Sequence, residues 1–185
     1  MVNHSEQQLL LKLARDSIKN ASASKTSPSR KYIPLSLKEK RGVFVTLEED
    51  GKLRGCVGSL FGIKNLYDSV IENARHAAFD DPRFGPVTES ELKDIRIEIS
   101  ILSEPKKLDY KNIDDLLNRL NNHLGVILKK GFASATFLPQ VWEQLPDKKE
   151  FLRHLCMKAG LEPDVWKKSD LEILVYEVEH FSDNE

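Results

Sequence analysis

Two cysteines, Cys56 and Cys156, are all that 185 residues offer. That is too few for a disulfide framework, so both are expected as free thiols in a reducing compartment. Long apolar runs are missing too: no stretch approaches the roughly 20 residues that a bilayer-spanning helix needs. Met1 to Gln8 is polar and holds no apolar segment of the export-signal kind, so a cytoplasmic, soluble protein with no membrane partner is expected. Excess charge of one sign is also absent, because 28 Lys and Arg face 29 Asp and Glu for a formal net charge of −1. Nothing therefore draws the whole molecule onto nucleic acid or an anionic surface. The doublets Lys106-Lys107, Lys129-Lys130, Lys148-Lys149 and Lys167-Lys168 are scattered beside turn signals and read as solvated loop ends.

What is present is ordinary globular material: 40% hydrophobic and 31% charged residues, enough for a sizeable core. The chain reads as one domain, 1–185, with a serine-rich loop at 21–31 and a polar tail at 181–185. Leu9, Leu10, Leu13, Ala14 and Ile18 recur at helical spacing and predict a helix over about residues 4–20. Val43 to Leu47 is a strand by β-branched content, Asp50-Gly51 a tight reversal, and Leu53 to Val57 the return. Asn65 caps a helix carrying Leu66, Val70, Ala74, Ala77 and Ala78 that stops near Asp80-Asp81-Pro82. Ile95, Ile97, Ile99 and Ile101 alternate with Arg96, Glu98 and Ser100, a half-buried strand. A short helix at Ile113 to Leu120 precedes a hairpin, Gly125 to Leu128 and Phe132 to Leu138, around Lys130-Gly131. Asp147 and Glu150 form a capping-box pattern that opens a helix through Leu155 and Cys156, with Gly160 as its stop. Leu171 to Val178, apolar on both faces, reads as a central strand. Regular β-α-β alternation is lacking, so the fold is expected to be α+β, about six mainly antiparallel strands with helices packed on them.

The segment Leu53-Arg54-Gly55-Cys56-Val57-Gly58 is where chemistry is expected. Glycine in or just after a strand marks close approach of a ligand or of another backbone. Strict alternation puts Arg54 and Cys56 on one face, where a guanidinium beside a thiol favours the thiolate. In that reading Cys56 is the nucleophile or carrier, and Arg54 activates it or binds an anion. The amides around Gly55 and Gly58, with Ser59, then line the site and stabilise negative charge. His76, between Glu72 and Asp80 on one helix face, is a candidate base. Asp81 and Arg83, in the stiff loop Asp80 to Pro86, are candidate binding residues. The structural alternatives are a buried cysteine, glycines at a bulge, a solvated histidine, and an Asp–Arg pair with Phe84 plugging the core.

Spacing rules out or weakens sharper readings. A cysteine phosphatase needs arginine six residues after its cysteine, and position 62 is Gly62. Gly55 to Ser59 lacks the lysine of a phosphate-binding loop, and no basic helices flank a Gly-x-x-Gly clamp. His154 and Cys156 diverge on their helix, and His4, His123 and His180 show no ligand spacing with Cys156, so no metal and no cofactor are expected.

Taken together these segments resemble the AMMECR-one domain family, whose prokaryotic members are called AmmeMemoRadiSam system protein A. The resemblance runs through Gly42 to Leu47, the Leu53–Gly58 hexapeptide with Val57 in place of isoleucine, Asp81-Pro82-Arg83-Phe84, Ile97 to Ser100, Phe137 to Trp142, and Phe151-Leu152 through Ala159-Gly160-Leu161. It covers roughly residues 8–180 and implies an α+β fold of two unequal lobes with the hexapeptide beside a cleft. It implies no particular reaction. It does imply company, a Memo-type protein and a radical S-adenosylmethionine enzyme, in a modification pathway. His76 is not part of the family pattern. Two functions follow: a cysteine-centred site acting on or holding a small-molecule or modified substrate, or an adaptor that binds a protein or nucleic-acid partner through Leu53–Gly58 without bond chemistry.

Overall fold

The computed structural model describes residues 2–23, 32–168 and 171–183. Most of the serine-rich stretch, 24–31, lies outside these residues. The chain divides into two compact units, residues 1–102 with 179–185, and residues 103–178.

The first unit begins with α1 (His4–Ser22), whose stripe of Leu10, Leu13, Ala14 and Ile18 is buried. Asn3 and Glu6 cap it reciprocally: the Asn3 side chain accepts from the Glu6 amide at 3.0 Å, and the Asn3 amide donates to the Glu6 carboxylate at 2.9 Å. Helix geometry continues through Ala21 and Ser22, two residues into the expected loop. Strands β1 (Val43–Glu49) and β2 (Lys52–Ser59) form the predicted hairpin. Asp50 and Gly51 adopt φ of 50° and 71° at its turn, both in the left-handed region that two-residue hairpin turns require. After α2 (Leu66–Phe79), capped by Asn65, comes β3 (Arg96–Leu102), antiparallel to β1.

Pairing aligns Val43 with Ile101, Val45 with Ile99 and Leu47 with Ile97, and all six are fully buried. Together with the apolar faces of α1 and α2 they make one core. Phe44, Thr46 and Glu48 alternate onto the other face of β1, as period-two geometry dictates. Among the described residues strand β2 pairs only with β1, so its far side is an edge.

The polar tail is corrected in part. Phe181 and Ser182 are the last residues of a strand and are buried, while Asp183 ties that strand down. Its amide donates to Ile97 O at 3.2 Å, and its carboxylate accepts from the Ile97 amide at 2.9 Å and from Arg15. A terminal segment with such partners is held, whatever its composition.

The second unit holds β4 (Lys106–Lys107), α3 (Ile113–Arg119), β5 (Leu124–Lys130), β6 (Ala133–Phe137), α4 (Val141–Gln144) and α5 (Lys148–Lys158). It also holds residues 172–178 of β7 (Glu172–Ser182). There β7 lies between β4 and β5, central as expected, and β6 is an edge. The Asp147 side chain accepts from the Lys149 and Glu150 amides, while the Glu150 carboxylate accepts from Arg153. The core gathers Leu116, Val126, Leu128, Leu152, Leu155 and Trp166 around Phe151, whose ring stacks on Trp142 at 3.6 Å between centroids. Cys156 is fully buried here, and burial pushes its thiol pKa up. The architecture is α+β, and the described residues hold six antiparallel strands of five residues or more and one of two.

Candidate functional site

The direction of Cys56 is decided by one extra residue. A simple two-residue hairpin would continue the pairing of Glu49 with Lys52 and Glu48 with Leu53 into Leu47 with Arg54 and Val45 with Cys56. Cys56 would then face the core. Instead the register shifts between Leu47 and Glu48, so Leu47 pairs with Gly55, Thr46 with Cys56 and Val45 with Val57. Arg54 is left as the extra residue of a bulge, and every side chain beyond it changes face. Cys56 thereby leaves the core and stands half-buried opposite Thr46, whose hydroxyl donates to the sulfur at 3.4 Å.

The same bulge places Gly55 on the core face, under α2. A Cβ there would sit 2.1 Å from the Ala77 carbonyl oxygen. At Gly58 it would sit 2.4 Å from Val43 O and 2.5 Å from Phe44 Cα. These glycines admit neighbouring backbone. Of the two approaches that such glycines mark, that of another backbone is the one seen here. Ser59 closes the strand with a hydrogen bond from its hydroxyl to Phe61 O at 2.9 Å.

Arg54 does not accompany the thiol. Its Nε donates to Glu91 at 2.8 Å, Nη1 to Gly85 O at 3.0 Å and Nη2 to Pro86 O at 3.3 Å. All three guanidinium nitrogens are thus engaged, and the alternation that would have put it beside Cys56 is broken by the bulge. Glu91 also accepts from the Thr88 amide and hydroxyl. Arg54 first, then Thr88, hold its carboxyl down from an ordinary 4.5 to about 2.

The sign of that shift sets a pH dependence. A depressed folded-state pKa contributes stability that is fully present above about 4.5 and is lost as pH falls toward 2. Glu91→Gln should therefore melt below the parent at pH 6, and the gap between the two should close between pH 4.5 and 2. A gap that stays constant across this window would show that the pair contributes nothing.

The cation bonded to the cysteine is Arg83. Edge strands present outward backbone groups that need partners. For Cys56 these come from the loop after α2: its amide donates to Asp81 Oδ2 at 2.9 Å, and its carbonyl accepts from Arg83 Nη2 at 3.3 Å. Asp81 in turn accepts from the Arg83 amide at 3.1 Å, Nε at 2.9 Å and Nη2 at 2.7 Å. Arg83 foremost, then the Cys56 amide, hold the Asp81 carboxyl far below the usual carboxylate range. Asp81 therefore stays ionised and serves to clamp the strand. Phe84 is half-buried with its ring 5.5 Å from the Arg83 guanidinium carbon, so it does not plug the core.

His76 is brought to none of this. Its side chain is 54% exposed on α2 with Nε2 4.0 Å from the Asp80 carboxylate, and Glu72 pairs with Lys64 at 2.5 Å. Thr46 and Glu91 were missed by sequence reasoning. The period-two pattern puts Thr46 outward, but only the bulge brings Cys56 opposite it, and nothing local pairs Glu91 with a strand 37 residues away. No group of three or more His, Cys, Asp or Glu that could hold a metal occurs among the described residues, and none of their helices is long and apolar enough to cross a membrane.

The model of the AMMECR1 family matches residues 11–181. A protein of Methanopyrus kandleri is 42% identical over 97% of this chain and 89% of its own length. One of Methanosarcina barkeri is 39% identical over 100% and 94%. The crystal structure of an uncharacterised protein from Pyrococcus horikoshii superposes with a TM-score of 0.84 at 34% identity, covering 95% of this chain and 90% of that one.

Proposed function

The chain belongs to the AMMECR1 family, and on that premise we propose that it works through a thiol-centred site on the outward face of β2. Cys56 acts there as nucleophile or carrier for a small molecule or a modified substrate. The observation that carries this reading is the treatment of Cys56 itself. Its sulfur is turned out of the core by a bulge and touched by a hydroxyl, while its peptide is clamped on both sides by Asp81 and Arg83. A fixed backbone under a half-buried cysteine is what a positioned nucleophile requires. Arg54 and the glycines support the strand, and His76 takes no part.

Alkylation of the folded protein tests this directly. Cys156 can react only through opening of its core, so Cys56 should be modified by iodoacetamide at least about tenfold faster. Equal rates at the two thiols, read by peptide mass spectrometry, would refute the proposal.

The adaptor reading draws on the exposed apolar side chains at the two ends of β2, Leu53 and Phe61, which could meet a partner protein. Cys56→Ser separates the two readings, because an adaptor keeps its partner and a thiol-centred protein loses its activity. The setting we propose is cytoplasmic, in a pathway with a Memo-type protein and a radical S-adenosylmethionine enzyme. Family resemblance alone supports those partners, and co-purification from the native host tests them.

A further inference from the structure

We propose that the substrate held at Cys56 carries an oxyanion group, a carboxylate or a phosphoryl, and that Arg83 is the residue that receives it. This rests on the thiol-centred reading above. The two arginines of the neighbourhood differ in one decisive respect. Arg54 has every guanidinium nitrogen engaged and a side chain only 15% exposed. Arg83 uses Nε and Nη2 on Asp81 and Cys56 O, while its side chain is 53% exposed. Nη1 has no partner among the described residues.

Asp81 grips one edge of the guanidinium with both carboxylate oxygens, and Phe84 lies against it. The cation is thereby held in place at the cysteine's own peptide, with donors left over for a visitor. A planar fork already oriented loses little entropy on meeting a carboxylate or phosphate. Arg83 Nη2 donates to the Cys56 carbonyl at 3.3 Å, which sets the guanidinium beside the residue that carries the thiol. Asp81 cancels much of the long-range field. Recognition must then come from directed hydrogen bonds, and its effect on rate should be modest. The open side of the loop agrees with this, since a Cβ added at Gly85 would meet nothing within 4 Å.

Two alkylating reagents that differ in one group provide the test. In both, the thiolate attacks the methylene carbon, the C–S bond forms as the C–I bond breaks, and iodide leaves. Iodoacetate carries a carboxylate where iodoacetamide carries a neutral amide. The ratio of their rates at Cys56 of the full chain, divided by the same ratio for 2-mercaptoethanol, a thiol with no other charge, isolates anion recognition from thiol reactivity. At low salt this quotient should be about fivefold above one. It should fall toward one with added salt and in Arg83→Gln, and remain unchanged in Arg54→Gln. Protection by acetate or by inorganic phosphate identifies the preferred oxyanion.

The iodoacetamide rate at Cys56 and the protection of Cys156 report whether Arg83→Gln is folded. If it is not, Arg83→Lys and the salt titration of the parent decide. A quotient of one in the parent, or one insensitive to both Arg83 and salt, overturns the inference while leaving the thiol-centred reading intact. No reaction of Cys56 with either reagent overturns both.

Discussion

Valine at position 55 should cost the first unit about 3 kcal/mol or more, enough to leave much of the protein unfolded near 37 °C. The reason lies in what Gly55 meets. Its missing Cβ would stand 2.1 Å from the Ala77 carbonyl oxygen of α2, with the carbonyl carbon at 3.0 Å. A flexible side chain could swing aside from such an intruder, but helix backbone cannot. Relief would need α2 to lift from the sheet, which would expose Val70, Ala74 and Ala77, all buried beneath it. Gly85→Ala is the matched control. A Cβ there touches nothing within 4 Å and the backbone is not in the left-handed region, so its effect should stay within about 0.5 kcal/mol. Urea unfolding of the two variants would check this. Equal midpoints would show that α2 does not press on the strand as described.

Alanine at position 81 should be the most damaging polar substitution in the first unit, lowering the melting temperature by about 5 °C or more. The Asp81 side chain is 3% exposed and accepts from four donors, one of them the Cys56 amide. Its removal leaves the edge of β2 without its side-chain clamp and frees the Arg83 guanidinium. Asp81→Asn should fall between parent and alanine variant, because an amide oxygen keeps one or two of these bonds and cannot balance the guanidinium charge. The same substitutions should alter the Cys56 alkylation rate while Cys156 stays protected, the pattern of a local release. If both thiols open together, Asp81 supports the whole fold and has no special relation to Cys56. The pH direction follows from the depressed carboxyl. Stability from Asp81 is present above about 3.9, the unfolded value, and is lost as pH falls below it.

Local chemistry made much of this molecule legible. The capping residue Asn65, the Asp50-Gly51 reversal and the isoleucine alternation of β3 are each satisfied within a few residues, so their elements appear where the pattern puts them. Cys156 lies in a helical stripe with Leu152 and Leu155, and that spacing alone requires it to be buried. The site was legible only as a place. Period-two alternation assumes an unbroken strand, and a bulge at Arg54 removes that assumption exactly where the functional argument relied on it.

Phe181 and Ser182 show the same limit. Composition made them part of a tail, yet pairing beside β3 and the anchor at Asp183 make them strand.

What the amino-acid sequence determined by itself, then, was the order and kind of the elements, the family, and a short segment worth attention, because propensity, capping and turn chemistry act over a handful of neighbours. Tertiary structure decided which way Cys56 points, which arginine attends it and why positions 55 and 58 are glycine. Those outcomes depend on register and on which loop covers a sheet edge. Both are set by groups that meet only after the chain has folded, 25 residues apart for the Cys56 amide and Asp81 and 37 for Arg54 and Glu91.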